Sequence, residues 1–87
     1  MFYKVTVVQP LPEFLLSVTF DNGVRKIYDL NPLFTRWEAF GALQATKGLF
    51  ECVKVDTGGY GVSWNEDIDL SGNELYENGR EEQTIDN

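Results

Sequence analysis

Residues 13–30 read EFLLSVTFDNGVRKIYDL, and this stretch decides the fold. Large apolar side chains occupy every second position from Phe14 to Phe20, which is the period of a strand with one buried face. The residues Asp21-Asn22-Gly23 then predict a chain reversal, because Asn and Gly tolerate positive φ. Residues 24–30 are predicted to return as the second strand of a hairpin.

Two registers are open to this hairpin. A two-residue turn at Asn22-Gly23 sets Val18 opposite Ile27, which is a favourable cross-strand pair. A three-residue loop with a glycine bulge shifts the register by one residue. The Val18–Ile27 pair favours the first register.

Three further strands are predicted outside this hairpin. Residues 2–8 are apolar at alternate positions, and Pro10 and Pro12 then mark a turn because each removes a backbone donor. Residues 49–56 and 60–64 are predicted to form a second hairpin around a glycine-rich turn.

One main helix is predicted between the two hairpins. It begins at Asn31-Pro32, since Asn is a favoured N-cap and Pro fits the first helical position. Its apolar side chains recur every three or four residues, so they lie on one stripe that we expect to cover the sheet: Leu33, Trp37, Phe40 and Leu43. A break near Thr35, with a helix from Arg36, is the alternative.

A short final helix is predicted after the second hairpin. Ser71 and Glu74 match a capping box, and Gly79 is predicted to end the helix. Residues 1–79 are therefore predicted to form a single α+β domain, with an antiparallel sheet of about five strands in two hairpin groups packed against one main helix. Residues 80–87 are predicted to be a flexible polar tail.

The charge balance limits the classes of partner. The 87 residues include 14 acidic and 7 basic side chains, for a net charge of −7. This balance disfavours nucleic acid, which is bound largely through phosphate neutralisation, and it disfavours an anionic membrane surface. Electrostatic steering favours a basic protein partner. Self-association through an edge strand such as residues 1–8 is a further expectation.

The residue types disfavour most enzymatic chemistry. The chain contains no histidine, so histidine-based nucleophilic sites cannot be built. Its single cysteine, Cys52, is predicted to be a small buried core residue. One cysteine excludes an intramolecular disulfide, and the first residues do not match a signal peptide, so we expect a cytoplasmic protein. We expect no catalytic residue, no bound metal and no cofactor.

Four residues are candidates for an interaction site. Glu66, Asp67 and Asp69 follow Trp64 closely, and their carboxylates would suit a divalent cation or a basic group. The alternative is a solvated loop in which short polar side chains bind local backbone. Both tryptophans are expected to anchor the core. Trp64 lies near a loop, so an exposed position at an interface is open for it as well.

Several short motifs occur in an order that is similar to a known family. They are Phe20-Asp21-Asn22-Gly23, Tyr28-Asp29-Leu30, Pro32-Leu33, Phe40-x-x-Leu43, Phe50-x-x-Val53-x-Val55-Asp56, Trp64, Ile68-Asp69-Leu70 and Leu75-Tyr76. Together, over residues 3–79, they resemble DUF2442, a family of short bacterial domains of unknown function. The resemblance implies a compact α+β domain whose gene often lies beside another small gene, as in toxin–antitoxin pairs. The residues after Trp64 depart from the family's usual Trp-Pro-Asn-Gly-x-Asp run.

The sequence favours a non-catalytic protein-interaction or regulatory module. An antitoxin-like protein that pairs with a small partner is one form of such a module. The alternative is a domain that senses a small molecule or a divalent metal through the acidic loop 65–69. A hydrolase or transferase that uses carboxylates alone is disfavoured, because the usual acid–base repertoire is missing.

Overall fold

The computed structural model describes residues 2–82. It confirms the α+β class, but this part of the chain has more strands and shorter helices than predicted. The strands are β1 (Val5–Leu11), β2 (Leu15–Phe20), β3 (Arg25–Asp29), β4 (Lys54–Val55), β5 (Gly61–Asn65), β6 (Ile68–Ser71) and β7 (Arg80–Glu81). The α-helices are α1 (Leu33–Arg36), α2 (Ala42–Ala45) and α3 (Gly72–Asn78). The strands form two antiparallel sheets, ordered β1-β2-β3-β7 and β4-β5-β6.

The first chain reversal lies later than predicted. Strand β1 continues through Pro10 to Leu11, because a proline is tolerated on an edge strand. The turn is a short 3₁₀ segment, Pro12–Phe14, in which Glu13 and Phe14 take positive φ values of 65° and 61°.

The β2–β3 hairpin has the second of the two registers, so the preferred register was wrong. Val18 pairs with Lys26, and Ile27 lies opposite Ser17. The loop has three residues, and Gly23 has a φ of 88° that favours glycine. The Asn22 side chain accepts a hydrogen bond from the Val24 amide at 3.0 Å. This local contact stabilises the longer loop, and cross-strand pairing did not decide the register.

The predicted main helix is replaced by three short segments. Helix α1 ends at Arg36, a 3₁₀ helix spans Glu38–Gly41, and α2 follows. The break lies at Trp37, whose φ of −130° and ψ of 122° are those of a strand. Leu33, Phe40 and Leu43 of the predicted stripe are buried, but Trp37 is 47% exposed. Its prediction as a core anchor was therefore wrong.

The start of the predicted helix also differs. Asn31 does not cap it, because the Asn31 side-chain amide donates to the Glu13 carbonyl at 2.9 Å and to the Asp29 carboxylate at 2.8 Å. The residue instead ties the segment after β3 to the β1–β2 turn.

Most of the predicted strand 49–56 is not a strand. Residues Phe50–Cys52 form a 3₁₀ turn, and only Lys54–Val55 pair with β5. Cys52 is exposed, and its thiol donates to the Gly48 carbonyl at 3.4 Å. The prediction that Cys52 is a core residue was wrong, because the turn places it on the solvent side.

Helix α3 confirms the predicted Ser71 cap and the predicted end, but the Glu74 carboxylate accepts a hydrogen bond from Tyr28. The Ser71 hydroxyl accepts a hydrogen bond from the Glu74 amide at 3.0 Å, and Gly79 follows the last helical residue. Arg80 and Glu81, placed in the polar tail by the sequence, pair with Ile27 and Lys26 of β3. The Glu82 amide also donates to the Arg25 carbonyl at 3.0 Å, and the rest of that predicted tail, residues 83–87, lies outside the described residues.

One hydrophobic core joins the two sheets. Its 15 buried side chains come from both sheets and from the helical segments, and between residues 2 and 82 no polar or charged residue is buried. Trp64 is 6% exposed and its indole nitrogen donates to the Phe50 carbonyl at 2.9 Å. No helix in the described range is long and apolar enough to cross a membrane.

Candidate functional site

A groove of about 430 Å³ lies between strand β6 and the 3₁₀ turn Glu38–Gly41. We call it the β6 groove. Its apolar wall consists of Trp37, Ala39 and Phe40, and its acidic wall consists of Asp67, Asp69 and Glu74; Leu70 and Ser71 complete the lining. The volume lies within the range of about 300–1,000 Å³ that is typical of ligand sites.

Trp37 forms the apolar wall because its extended backbone turns the side chain away from the core. The indole lies 5.9 Å from the Phe40 ring, and the Arg36 guanidinium lies 5.6 Å from the indole ring centre. Nearly half of the residue remains exposed. A large aromatic surface of this kind is typical of protein-binding sites.

Asp67 and Asp69 reach the groove through a local turn. The Asn65 side chain accepts hydrogen bonds from the amides of Asp67 and Ile68, at 2.8 and 3.0 Å. This turn begins β6, where Ile68 and Leu70 are buried and Asp69 is exposed. The alternation follows from the pleat of the strand.

The other two sequence candidates lie elsewhere. Glu66 is exposed and lines a different groove, together with Lys54, Asp56 and Thr57. Trp64 is buried, which answers the question that the sequence left open: this tryptophan belongs to the core. The structure therefore brings Asp67 and Asp69 together and separates them from Glu66 and Trp64.

Glu74 is held at the groove by Tyr28. The phenol of Tyr28 donates to Glu74 Oε2 at 2.7 Å. Burial, then this hydrogen bond and the negative charge of Glu74, raise the pKa of Tyr28 well above its ordinary value near 10. Tyr28 therefore stays protonated at physiological pH and orients the carboxylate.

Replacing Tyr28 by phenylalanine is expected to reduce the free energy of unfolding by about 1–2 kcal/mol near neutral pH, because Glu74 loses its donor. The raised pKa means that this contribution is complete below about pH 10 and declines as the pH rises further. The difference between wild type and Tyr28→Phe should therefore be smaller near pH 11 than near pH 7. Urea unfolding of both proteins measures it.

The matched control for this experiment is Tyr60→Phe, because the Tyr60 ring is 63% exposed. We expect a smaller loss of stability near neutral pH for that variant, because its side chain is largely in solvent. A wild-type advantage over Tyr28→Phe that stays constant up to pH 11 would show that the phenol proton does not contribute as described.

The acidic wall has no cationic partner within the described part of the chain. The ion pair that the described residues form lies outside the groove: it joins Arg25 to Glu82 at 3.8 Å, and both side chains are exposed. Among residues 2–82, no Lys or Arg side chain comes within ion-pair distance of Asp67, Asp69 or Glu74. The groove thus presents three carboxylates that a cation from outside could neutralise.

A metal site is not formed by these residues. Between residues 2 and 82, no group of three or more Asp, Glu, Cys or His side chains is close enough to hold an ion. Hard cations such as Ca²⁺ need six or more oxygen ligands, several from the protein. The arrangement suits an organic cation next to an aromatic ring better than a metal.

The sequence did not identify Trp37 and Glu74 as site residues. Trp37 matched the helical stripe, and Glu74 was explained by the capping box. The alternative of a helix break near Thr35 was the signal that could have identified Trp37 as a surface residue. Nothing local in the sequence indicates that Tyr28, 46 residues away, binds Glu74.

Comparison with known proteins supports one assignment. None of the curated proteins compared with the chain matches it, and no solved structure matches it either. The family model described as "Protein of unknown function (DUF2442)" matches residues 5–81. This range spans both sheets and every residue of the β6 groove. The chain therefore belongs to the DUF2442 family.

Proposed function

We propose that this protein is a non-catalytic protein-interaction module that binds a basic segment of a partner protein in the β6 groove. One observation carries the proposal: an exposed tryptophan, Trp37, lies across the groove from three carboxylates that have no cationic partner among the described residues. Aromatic surface and uncompensated negative charge together favour lysine or arginine side chains.

The chemistry of such side chains fits both walls. The aliphatic part of a lysine or arginine can pack on the exposed Trp37 ring while its charged end reaches a carboxylate. The Arg36 guanidinium already lies over the Trp37 ring, 5.6 Å from its centre, which is a contact that an indole favours. The net charge of −7 would speed the encounter with a basic partner.

A module of this kind would act by covering a basic surface on its partner. That action fits a regulatory or antitoxin-like protein that neutralises a small partner, which is the form of the proposal that the family resemblance suggests. The absence of histidine from the sequence and the raised pKa of Tyr28 support a role without acid–base catalysis.

The alternative function, metal sensing by the acidic loop 65–69, has weaker support. Glu66 lines a different groove from Asp67 and Asp69, so the three side chains do not share one site.

Affinity capture with the full chain tests the proposal. From a lysate of the native cell at about 0.05 M salt, we expect one stoichiometric partner whose contact region is rich in Lys and Arg. Raising the salt to about 0.5 M should release it, because exposed charges are screened over a few ångströms at that ionic strength.

The matched variant is Trp37→Ala, which keeps the net charge and removes the exposed indole from the apolar wall. This variant should retain much less of the partner at every salt concentration. Recovery of the monomer alone, or equal retention by Trp37→Ala and wild type, would refute the proposal.

A further inference from the structure

We infer that the β6 groove binds its basic segment as an added β-strand, hydrogen-bonded to the free edge of β6. This inference rests on the proposed function and specifies how the partner is recognised. β6 is the last strand of its sheet, in the order β4-β5-β6. An exposed strand edge offers unpaired backbone groups to another chain.

The backbone groups that face the groove follow from the pairing of β5 with β6. The Gly72 amide donates to the Tyr60 carbonyl at 2.8 Å. Hydrogen-bonded and non-hydrogen-bonded pairs alternate along an antiparallel ladder. The Tyr60–Gly72 pair is hydrogen-bonded, so the Gly61–Ser71 pair is not, and the Val62–Leu70 pair is. The backbone of Asp69 therefore points away from β5, as does the Ser71 amide.

The β4 side of the sheet gives the same result independently. The Asp56 amide donates to the Gly61 carbonyl at 2.9 Å, so Gly61 bonds to β4. Because hydrogen-bonded residues alternate along a strand, the backbone of Ser63, two residues after Gly61, also faces β4. Ser63 lies opposite Asp69 in the register and cannot also bond to it. The amide and carbonyl of Asp69 are thus available at the edge.

The space beside the outer edge of β6 is the groove itself, with a volume of about 430 Å³. Neighbouring strands lie about 4.8 Å apart, and the opposite wall is the turn that carries Ala39 and Phe40. An incoming residue opposite Asp69 could exchange two hydrogen bonds with it, and a residue two positions along could accept from the Ser71 amide. The groove thus offers three backbone hydrogen bonds over the length of β6.

The side chains of the added strand would alternate between two environments. A residue opposite Asp69 projects to the same face as Asp69 and meets its carboxylate. Its neighbours project to the face of Leu70, which is buried and lies beside Phe40 in the groove lining. The preferred ligand is therefore an extended segment that alternates basic and apolar residues.

Charge identifies the occupant as a basic partner and argues against a second copy of this chain. Pairing two β6 edges about a two-fold axis would bring the Asp69 carboxylates of both copies together. Like charges on adjacent strands destabilise pairing. Each copy also has a net charge of −7, so the copies would repel each other.

The probe for this inference is an acetylated and amidated heptapeptide of alternating valine and lysine, with lysine at the second, fourth and sixth positions. Titrated into the full ¹⁵N-labelled chain, it should shift the amide signals of Asp69 and Ser71 and slow their hydrogen exchange. A peptide of the same composition with its lysines in one block should bind about tenfold more weakly, because it cannot meet both faces.

Backbone methylation tests the hydrogen bonds themselves. If lysines lie opposite Asp69, their N–H groups face β6, so N-methylation at the lysines should reduce affinity by about tenfold or more. N-methylation at the valines is the matched control and should be tolerated, because those N–H groups face away. Equal binding of the two methylated peptides would overturn the inference, and so would the absence of shifts at Asp69 and Ser71 with millimolar peptide.

The two proposals can fail separately. Affinity capture that is salt-sensitive and depends on Trp37, combined with a failed peptide titration, would reject strand addition and keep the interaction function. A failed capture would reject the interaction function, whatever the peptide does.

Discussion

Replacing Trp64 by alanine is expected to lower the free energy of unfolding by about 3–5 kcal/mol. The indole is 6% exposed and packs 6.2 Å from Phe40 and 6.3 Å from Phe50, measured between ring centres. Its removal leaves a cavity and takes the donor from the Phe50 carbonyl. Small domains have a total stability of about 5–15 kcal/mol, so Trp64→Ala should lose a large share of it and unfold at a clearly lower urea concentration.

Trp37→Ala is the matched control for this stability measurement. It deletes the same atoms from a side chain that is 47% exposed, so we expect a cost of about 1 kcal/mol or less. Urea unfolding followed by circular dichroism compares both variants with wild type. Equal costs at the two positions, or a larger cost at Trp37, would contradict the assignment of Trp64 to the core and Trp37 to the surface.

Reversing the charge of Asp69 is expected to have the largest effect on binding. Asp69→Lys places an ammonium group on the acidic wall, where it repels the incoming lysine or arginine. Interface residues of this importance contribute about 2 kcal/mol or more, so affinity for the captured partner should fall about thirtyfold or more. Titration calorimetry at low salt measures the change.

Asp21→Lys separates this local effect from the change in net charge. Asp21 is exposed, lies in the β2–β3 loop and does not line the groove. Both substitutions change the net charge by the same amount. The Asp21 variant should lose affinity only slightly through long-range electrostatics. Equal losses for the two variants would mean that binding depends on overall charge and not on the groove.

The parts of the fold that could be predicted depend on local patterns. Two features need only near neighbours, and both are present in the structure. They are the alternation from Phe14 to Phe20 and the cap of α3, in which the Glu74 amide donates to the Ser71 side chain. Strand β7 could not be recognised, because two polar residues form a strand only when β3 lies beside them. The β2–β3 register was mispredicted because the Asn22 side chain stabilises a longer loop.

The candidate site could be predicted only in part for a similar reason. Asp67 and Asp69 were identified from their clustering, but adjacent positions in a turn point in different directions, so Glu66 faces another groove. The helical spacing of Trp37 suggested that its side chain is buried. The strand-like backbone at that residue instead leaves the side chain half exposed. The acidic wall also needs Glu74, which reaches the groove through packing of α3 near β3.

Photo-cross-linking from inside the groove tests the central claim most directly. The substitution Ala39→p-benzoylphenylalanine places a photoreactive group at an exposed position on the apolar wall, and Tyr60→p-benzoylphenylalanine places it at an exposed position that does not line the groove. Irradiation of living cells followed by mass spectrometry should give a cross-link from position 39 to a lysine- and arginine-rich peptide of one partner, and little from position 60. A cross-link from position 60 alone, or one from position 39 to an acidic peptide, would contradict the account.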